Sequence, residues 1–173
     1  MKKNLILVAA AALLSLSLSA QGVYRTVGDK SIDLGVGLGG VKIGSGTIVP
    51  PVRAAFEYTL LEQRNVGTVS VGGVINYRMD KEAGESFSVV YVGPQVVYRY
   101  PVLEKVDLFA KLSLGYLGFA SSSAIVDYYV KDLSGFAWSA NLGAMYYFSD
   151  KMGVGLQFGR GLSTAEVFLS IRL

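Results

Sequence analysis

From residue 31 to the C-terminus, apolar side chains recur at every second position in runs of about ten residues, and one face of each run carries no charge. A period of two is the mark of a strand whose faces meet different surroundings, because successive side chains point to opposite sides of a pleated backbone. The runs cover 32–38, 52–60, 69–79, 90–100, 108–116, 136–148, 152–158 and 165–173. Turn-forming clusters separate them: Gly44-Ser45-Gly46 and Pro50-Pro51, then 64–67, the polar stretch 80–86, then 101–105, the long connection 119–133, Ser149-Asp150-Lys151 and Arg160-Gly161. Roughly forty positions fall on the apolar face, where the overall charged content of 17% would place about seven charges by chance, and none is there. The alternate face holds Asp33, Arg53, Glu57, Arg78, Arg99, Asp107, Lys111, Glu166 and Arg172, interspersed with Gly and Ser.

Alternation alone does not say which face is inside. In a soluble sandwich or lipocalin-like barrel the apolar face turns inward. Three features point the other way. The polar face is built of small residues that suit a crowded lumen. Its charges nearly balance, as enclosed charges must if each is to find a partner. The apolar face carries rings near strand ends, with Tyr58, Tyr98, Tyr100, Tyr146 and Phe148 towards one rim and Tyr77, Tyr116, Phe136 and Trp138 towards the other. Amphipathic rings at both interfaces form the girdles of membrane barrels. A tilted strand crosses the hydrocarbon in about 9–11 residues. In lipid, where no water satisfies an open edge, the sheet has to close. The expected fold is therefore all-β: a closed, antiparallel, up-and-down transmembrane barrel of about eight strands over 31–173, both termini on the periplasmic side. Pro94 falls mid-strand, where it has no N–H to give the ladder, so a bulge or a missing rung is expected there.

The first twenty residues read as a cleaved leader. Lys2 and Lys3 precede an unbroken apolar run over 5–14, and Ser15, Ser17, Ser19 and Ala20 lead to a cut before Gln21. A membrane-anchor helix would need about 20 apolar residues, and this run is too short. The leader implies export by the Sec route, with 21–30 as a short periplasmic segment ahead of the barrel. Removing Lys2 and Lys3 from 16 basic residues leaves 14 against 13 acidic ones, so the basic balance of the whole chain is largely the leader's. No basic block interleaves with aromatics, which argues against nucleic acid as a partner.

The chain resembles the small outer-membrane β-barrel proteins, porin-family and OmpA/OmpX-like, over its whole mature length. The pieces that carry the likeness are Pro50-Pro51 leading to Glu57-Tyr58, the segment Gly143-Ala144-Met145-Tyr146-Tyr147-Phe148 before a tight turn, and the last alternating strand. The resemblance implies membrane lipids as surroundings, a Gram-negative outer membrane as location, and the outer-membrane insertion machinery as an assembly partner. Members commonly end in an aromatic residue that this machinery reads. This chain ends in Leu173 instead, with Val167, Leu169 and Ile171 at the alternate positions.

Catalytic chemistry finds little to work with. The chain has no Cys and no His, which removes thiol nucleophiles and any Ser-His or Asp-His centre. Gly35, Gly37 and Gly40 have the spacing of a dinucleotide loop, but Val41 to Gly46 and two prolines follow where a helix is required. No dense acidic loop suggests calcium. No cofactor and no metal is expected, and Glu57 and Glu166, the only candidate carboxylate pair, are expected to pair with Arg53 or Arg172. An eight-stranded lumen is just wide enough for side chains to fill. Asp33, Arg53, Glu57, Asn76, Arg78, Gln95, Arg99, Lys111, Asn141, Gln157, Glu166 and Arg172 are thus expected to form a polar plug. The leading function is structural or surface interaction without catalysis. A narrow porin-like channel and a soluble periplasmic lipocalin-like binding barrel are the alternatives. The connection 119–133 places Tyr128 and Tyr129 where an extracellular partner could touch them, or else simply extends its two strands.

Overall fold

In the computed structural model, residues 25–40, 46–63, 66–82, 84–121 and 134–173 are described. Eight strands follow one another: β1 (Lys30–Leu38), β2 (Gly46–Gln63), β3 (Gly67–Glu82), β4 (Glu85–Leu103), β5 (Val106–Ser121), β6 (Gly135–Tyr147), β7 (Met152–Arg160) and β8 (Ala165–Arg172). Each pairs antiparallel with the next, and β8 pairs back onto β1 from Ser31↔Arg172 to Leu38↔Ala165, so the sheet closes. The start of β1 and the end of β8 meet at one end, where the Leu173 N–H donates to the Lys30 carbonyl at 3.0 Å. That end carries the short turns between β2 and β3, β4 and β5, and β6 and β7. The opposite, loop end carries the other four connections.

The alternation reads through to the faces without a slip. Ile32, Leu34, Val36 and Leu38 on β1 point outward and Ser31, Asp33, Gly35 and Gly37 point inward. The same inversion holds around the barrel: Phe56, Ile75, Val92, Leu112, Leu142 and Leu156 are exposed, while Arg53, Glu57, Arg78, Gln95, Arg99 and Lys111 are buried. A lipocalin-like barrel has the opposite arrangement. A continuous apolar outer belt is a surface that water does not tolerate.

Strand boundaries differ from expectation in three places. Residues 80–86 are not a polar loop: β3 continues to Glu82 and β4 begins at Glu85, so Asp80 is a strand residue with its side chain inside. Pro50-Pro51 and Pro101 lie within β2 and β4 instead of ending them. The ladder absorbs them by slipping, with register shifts between Thr47/Val49 and Val49/Val52, and between Pro101/Leu103. Pro94 behaves differently. It pairs with Gly73 on β3, but the β4–β5 ladder skips from Val92↔Tyr116 to Gln95↔Ser113 with no change of register. A rung is missing and no bulge forms, because Gly93 faces Gly115 there and the two backbones approach too closely for a Cβ on either.

Glycine has a second use inside the barrel. The ring of Phe168 on β8 lies over its cross-strand partner Gly155 on β7, and that of Phe109 on β5 lies over its partner Gly143 on β6, while Gly35 on β1 leaves room for the Glu166 carboxylate and the Phe168 Cβ. The two rings meet edge to face with centroids 5.7 Å apart. A narrow lumen holds two phenyl groups only if the flanking positions have no side chain. Gly155→Val therefore forces Phe168 off its place and should cost about 1–3 kcal/mol, the usual overpacking range. A lower urea midpoint for the folded gel band, with Gly135→Val unaffected as a control in open space, is the measurable outcome.

Candidate functional site

The lumen is where the chain's buried chemistry gathers. At its centre Glu57 of β2 is fully buried and touches three cations: Arg99 of β4 directly, Lys111 Nζ of β5 at 3.1 Å and Arg25 Nη1 at 3.6 Å. Lys111 Nζ also donates to Asp33 Oδ2 at 2.8 Å, and Arg53 Nη1 lies 3.7 Å from the same oxygen and 3.6 Å from Glu166 Oε1. Gln95 joins the halves, accepting from Arg53 Nη2 at 2.9 Å and donating from Nε2 to Glu57 Oε1 at 3.5 Å. Towards the termini, Arg25 Nε donates to the Tyr147 hydroxyl at 3.3 Å, which donates to Asp107 Oδ2 at 2.9 Å. Four cations (Arg25, Arg53, Arg99, Lys111) thus face four carboxylates (Asp33, Glu57, Asp107, Glu166). Buried charges persist only when paired and hydrogen-bonded, and neutrality is what permits this layer to exist. The phenyl pair adds to it. Lys111 Nζ lies 4.2 Å from the Phe168 centroid and 4.9 Å from that of Phe109, and Arg53 and Arg99 cover the outer faces.

Above this layer, towards the loop end, is a polar cavity of about 20 Å³, room for a single water. Asn76, Asn141 and Gln157 line it, with Arg53 and Glu166 below. Next comes an apolar layer of Ala55, Val74, Val89, Tyr91 and Leu162. Leu162 belongs to no strand: the 161–164 connection folds inward and is held by the Thr164 N–H on the Leu38 carbonyl at 2.9 Å. Higher still, Arg78 Nε donates to both Asp80 oxygens at 2.8 and 3.0 Å, and its Nη1 reaches the Gly39 carbonyl at 2.8 Å.

Of the lumen residues expected from sequence, Asp33, Arg53, Glu57, Gln95, Arg99, Lys111 and Glu166 meet in one network. Asn76, Asn141 and Gln157 line the cavity beside it. Two are placed elsewhere. Arg78 forms its own pair near the loop-end mouth. Arg172 lies at the terminal mouth with its guanidinium 3.6 Å from Asp29, and does not neutralise Glu57 or Glu166. The residues that sequence reasoning passed over are Arg25, Leu162 and the inward rings. Arg25 precedes the first alternating run, so no periodicity marks it. The rings did leave a signal, since Phe109, Tyr147 and Phe168 each sit on the polar parity of their runs. Of the rings expected as a girdle, Tyr98, Tyr100 and Phe148 are exposed at the terminal end, Tyr116, Phe136 and Trp138 are exposed at the loop end, and Tyr58, Tyr77 and Tyr146 are half-buried. Tyr128 and Tyr129 lie outside the described residues. Among the described residues no three carboxylates converge as a metal site would require.

This arrangement resists removal of any single member. Glu57→Ala leaves Arg99, Lys111 and Arg25 without their shared counter-charge and should cost about 3–5 kcal/mol, the range for breaking a buried pair. Arg25→Gln removes one of several partners and should cost less. Urea midpoints of the folded band for the two variants give the order directly.

The chain matches no protein-family profile and no curated protein sequence. Solved structures do resemble it. Ail, the attachment invasion locus protein of Yersinia pestis, solved with the heparin analogue sucrose octasulfate, aligns with a TM-score of 0.50 at 16% identity, covering 85% of this chain and 96% of Ail. A de novo designed transmembrane β-barrel aligns at 0.46 and 16% over 87% of this chain and 99% of its own. The outer-membrane enzyme PagL aligns at 0.41 and 15% over 82% and 96%. At 16% identity the Ail alignment speaks for the fold alone, a small eight-stranded barrel of the outer-membrane type.

Proposed function

We propose that this chain is an exported, integral outer-membrane β-barrel that acts through its outer wall and loops, with a lumen closed to solutes and no catalytic centre. The observation that carries the reading is the cross-section of the lumen. A neutral layer of paired charges around Phe109 and Phe168 lies below an apolar layer that includes Leu162, and the cavity between them has room for no more than one water. An ion entering from either end would have to displace bonded partners and then cross a dry constriction, which is how hydrophobic gates block conduction. The absence of His from the sequence leaves a Ser or an acid with no conventional base. The exposed apolar belt, flanked by rings at both rims, supports insertion in a bilayer. The leader over 1–20 supports export, and strand parity supports a periplasmic terminal end, with 119–133 facing outward as a contact surface.

Two measurements test this. In membrane fractionation the protein should stay with the outer membrane, resist carbonate extraction and show a heat-modifiable gel shift, and the mature N-terminus should read from Gln21. In planar bilayers purified protein should give no unitary steps. Reproducible steps would establish the channel, and release by osmotic shock without detergent would establish a soluble barrel.

A further inference from the structure

The outer wall is free of charge along the membrane-crossing part of each strand, and its charge returns at the two rims. At the loop end, the charged residues on the outward parity of the described strands are Lys81 on β3 and Arg160 on β7, with the exposed Glu82 beside Lys81. Neither is paired with a carboxylate among the described residues. Of the two carboxylates that flank Lys81, Asp80 points inward to Arg78 and Glu82 is exposed at the end of β3. Arg160 is not loose, however. Its guanidinium lies over the indole of Trp138, 4.5 Å from the ring centroid. The cross-strand partner of Arg160 is Ala140, whose methyl group leaves the guanidinium room to lie back along β6 to Trp138. Tyr116, the partner of Phe136, completes an exposed aromatic strip beside it, and Phe136 is 77% exposed. Leu142 and Phe158 continue the wall below as bare hydrocarbon surface.

We propose that Arg160, stacked on Trp138, is a clamp for the phosphate of an anionic lipid headgroup in the leaflet at the loop end. This rests on the membrane-barrel reading above and names the lipid chemistry that one rim selects. A guanidinium whose face is covered by indole keeps its N–H edge directed away from the ring, and that edge matches two phosphate oxygens at once. The aromatic strip sits at headgroup height, where amphipathic rings prefer to lie. The hydrocarbon surface below receives the acyl chains, so headgroup and tails are held by one continuous face.

Trp138 is the only tryptophan of the chain, so its fluorescence reports on this site alone. The full mature protein is placed in nanodiscs of phosphatidylcholine with increasing phosphatidic acid, whose headgroup is a phosphate monoester. The expected result is a saturable change in Trp138 emission. Arg160→Gln should weaken the response at least tenfold, Arg160→Lys should fall between, and Lys81→Gln should leave it unchanged. Glycerol phosphate in solution, at the same concentration, should produce no change. The proposal is overturned if phosphatidic acid has no effect beyond phosphatidylcholine, if Arg160→Gln or Arg160→Lys responds like the parent, or if the soluble phosphate reproduces the response. Failure to enter the discs at all would instead refute the barrel reading, and is scored separately by the heat-modifiable gel shift.

Discussion

The seam between the first and last strands is the contact on which everything else depends. Eight consecutive Cα pairs join β1 to β8, from Ser31↔Arg172 to Leu38↔Ala165. Without them the sheet would have two raw edges, and a surface as apolar as the outer wall would carry unpaired backbone into lipid. Closure with only eight strands also fixes the bore. The bore is too narrow to hold solvated charges, so the inward ions find partners inside it, those of the central layer on other strands, and Phe109 and Phe168 each need a glycine beside the ring. The ionic layer and the glycine–phenyl contacts are thus consequences of the same ring closure.

The faces were legible in the sequence because the pleat makes them so. A one-residue shift of face in β2, β4 or β5 would have put Arg53, Arg99 or Lys111 outside, and all three are buried. Boundaries were less legible, since proline was read as an end. Pro50, Pro51 and Pro101 are instead accommodated by ladder slips that leave the strand running on, and Pro94 by a gap that two facing glycines make cheap. Local propensity does not show such accommodation, because it depends on the neighbouring strand.

The lumen was legible in kind and only partly in connection. Parity identifies which side chains point inward, but partner choice depends on the stagger between strands, which alternation does not encode. Arg78 and Arg172 share the inward parity of Arg53 and Arg99, yet stagger carries them to opposite mouths. The place expected for Arg172 beside Glu57 is taken by Arg25, a residue that no strand pattern announces. Leu162 was hidden for a similar reason, as a turn residue that folds back into the bore.

Arg25 also constrains the order in which the molecule can be put together. Its guanidinium bonds Ser31 of β1, Tyr147 of β6 and Ser170 of β8, and approaches Glu57 of β2. A socket whose walls include both the first and the last strand has no existence in a half-built chain. The segment that is first in sequence must therefore be seated last, as a keystone is set only once the arch around it stands.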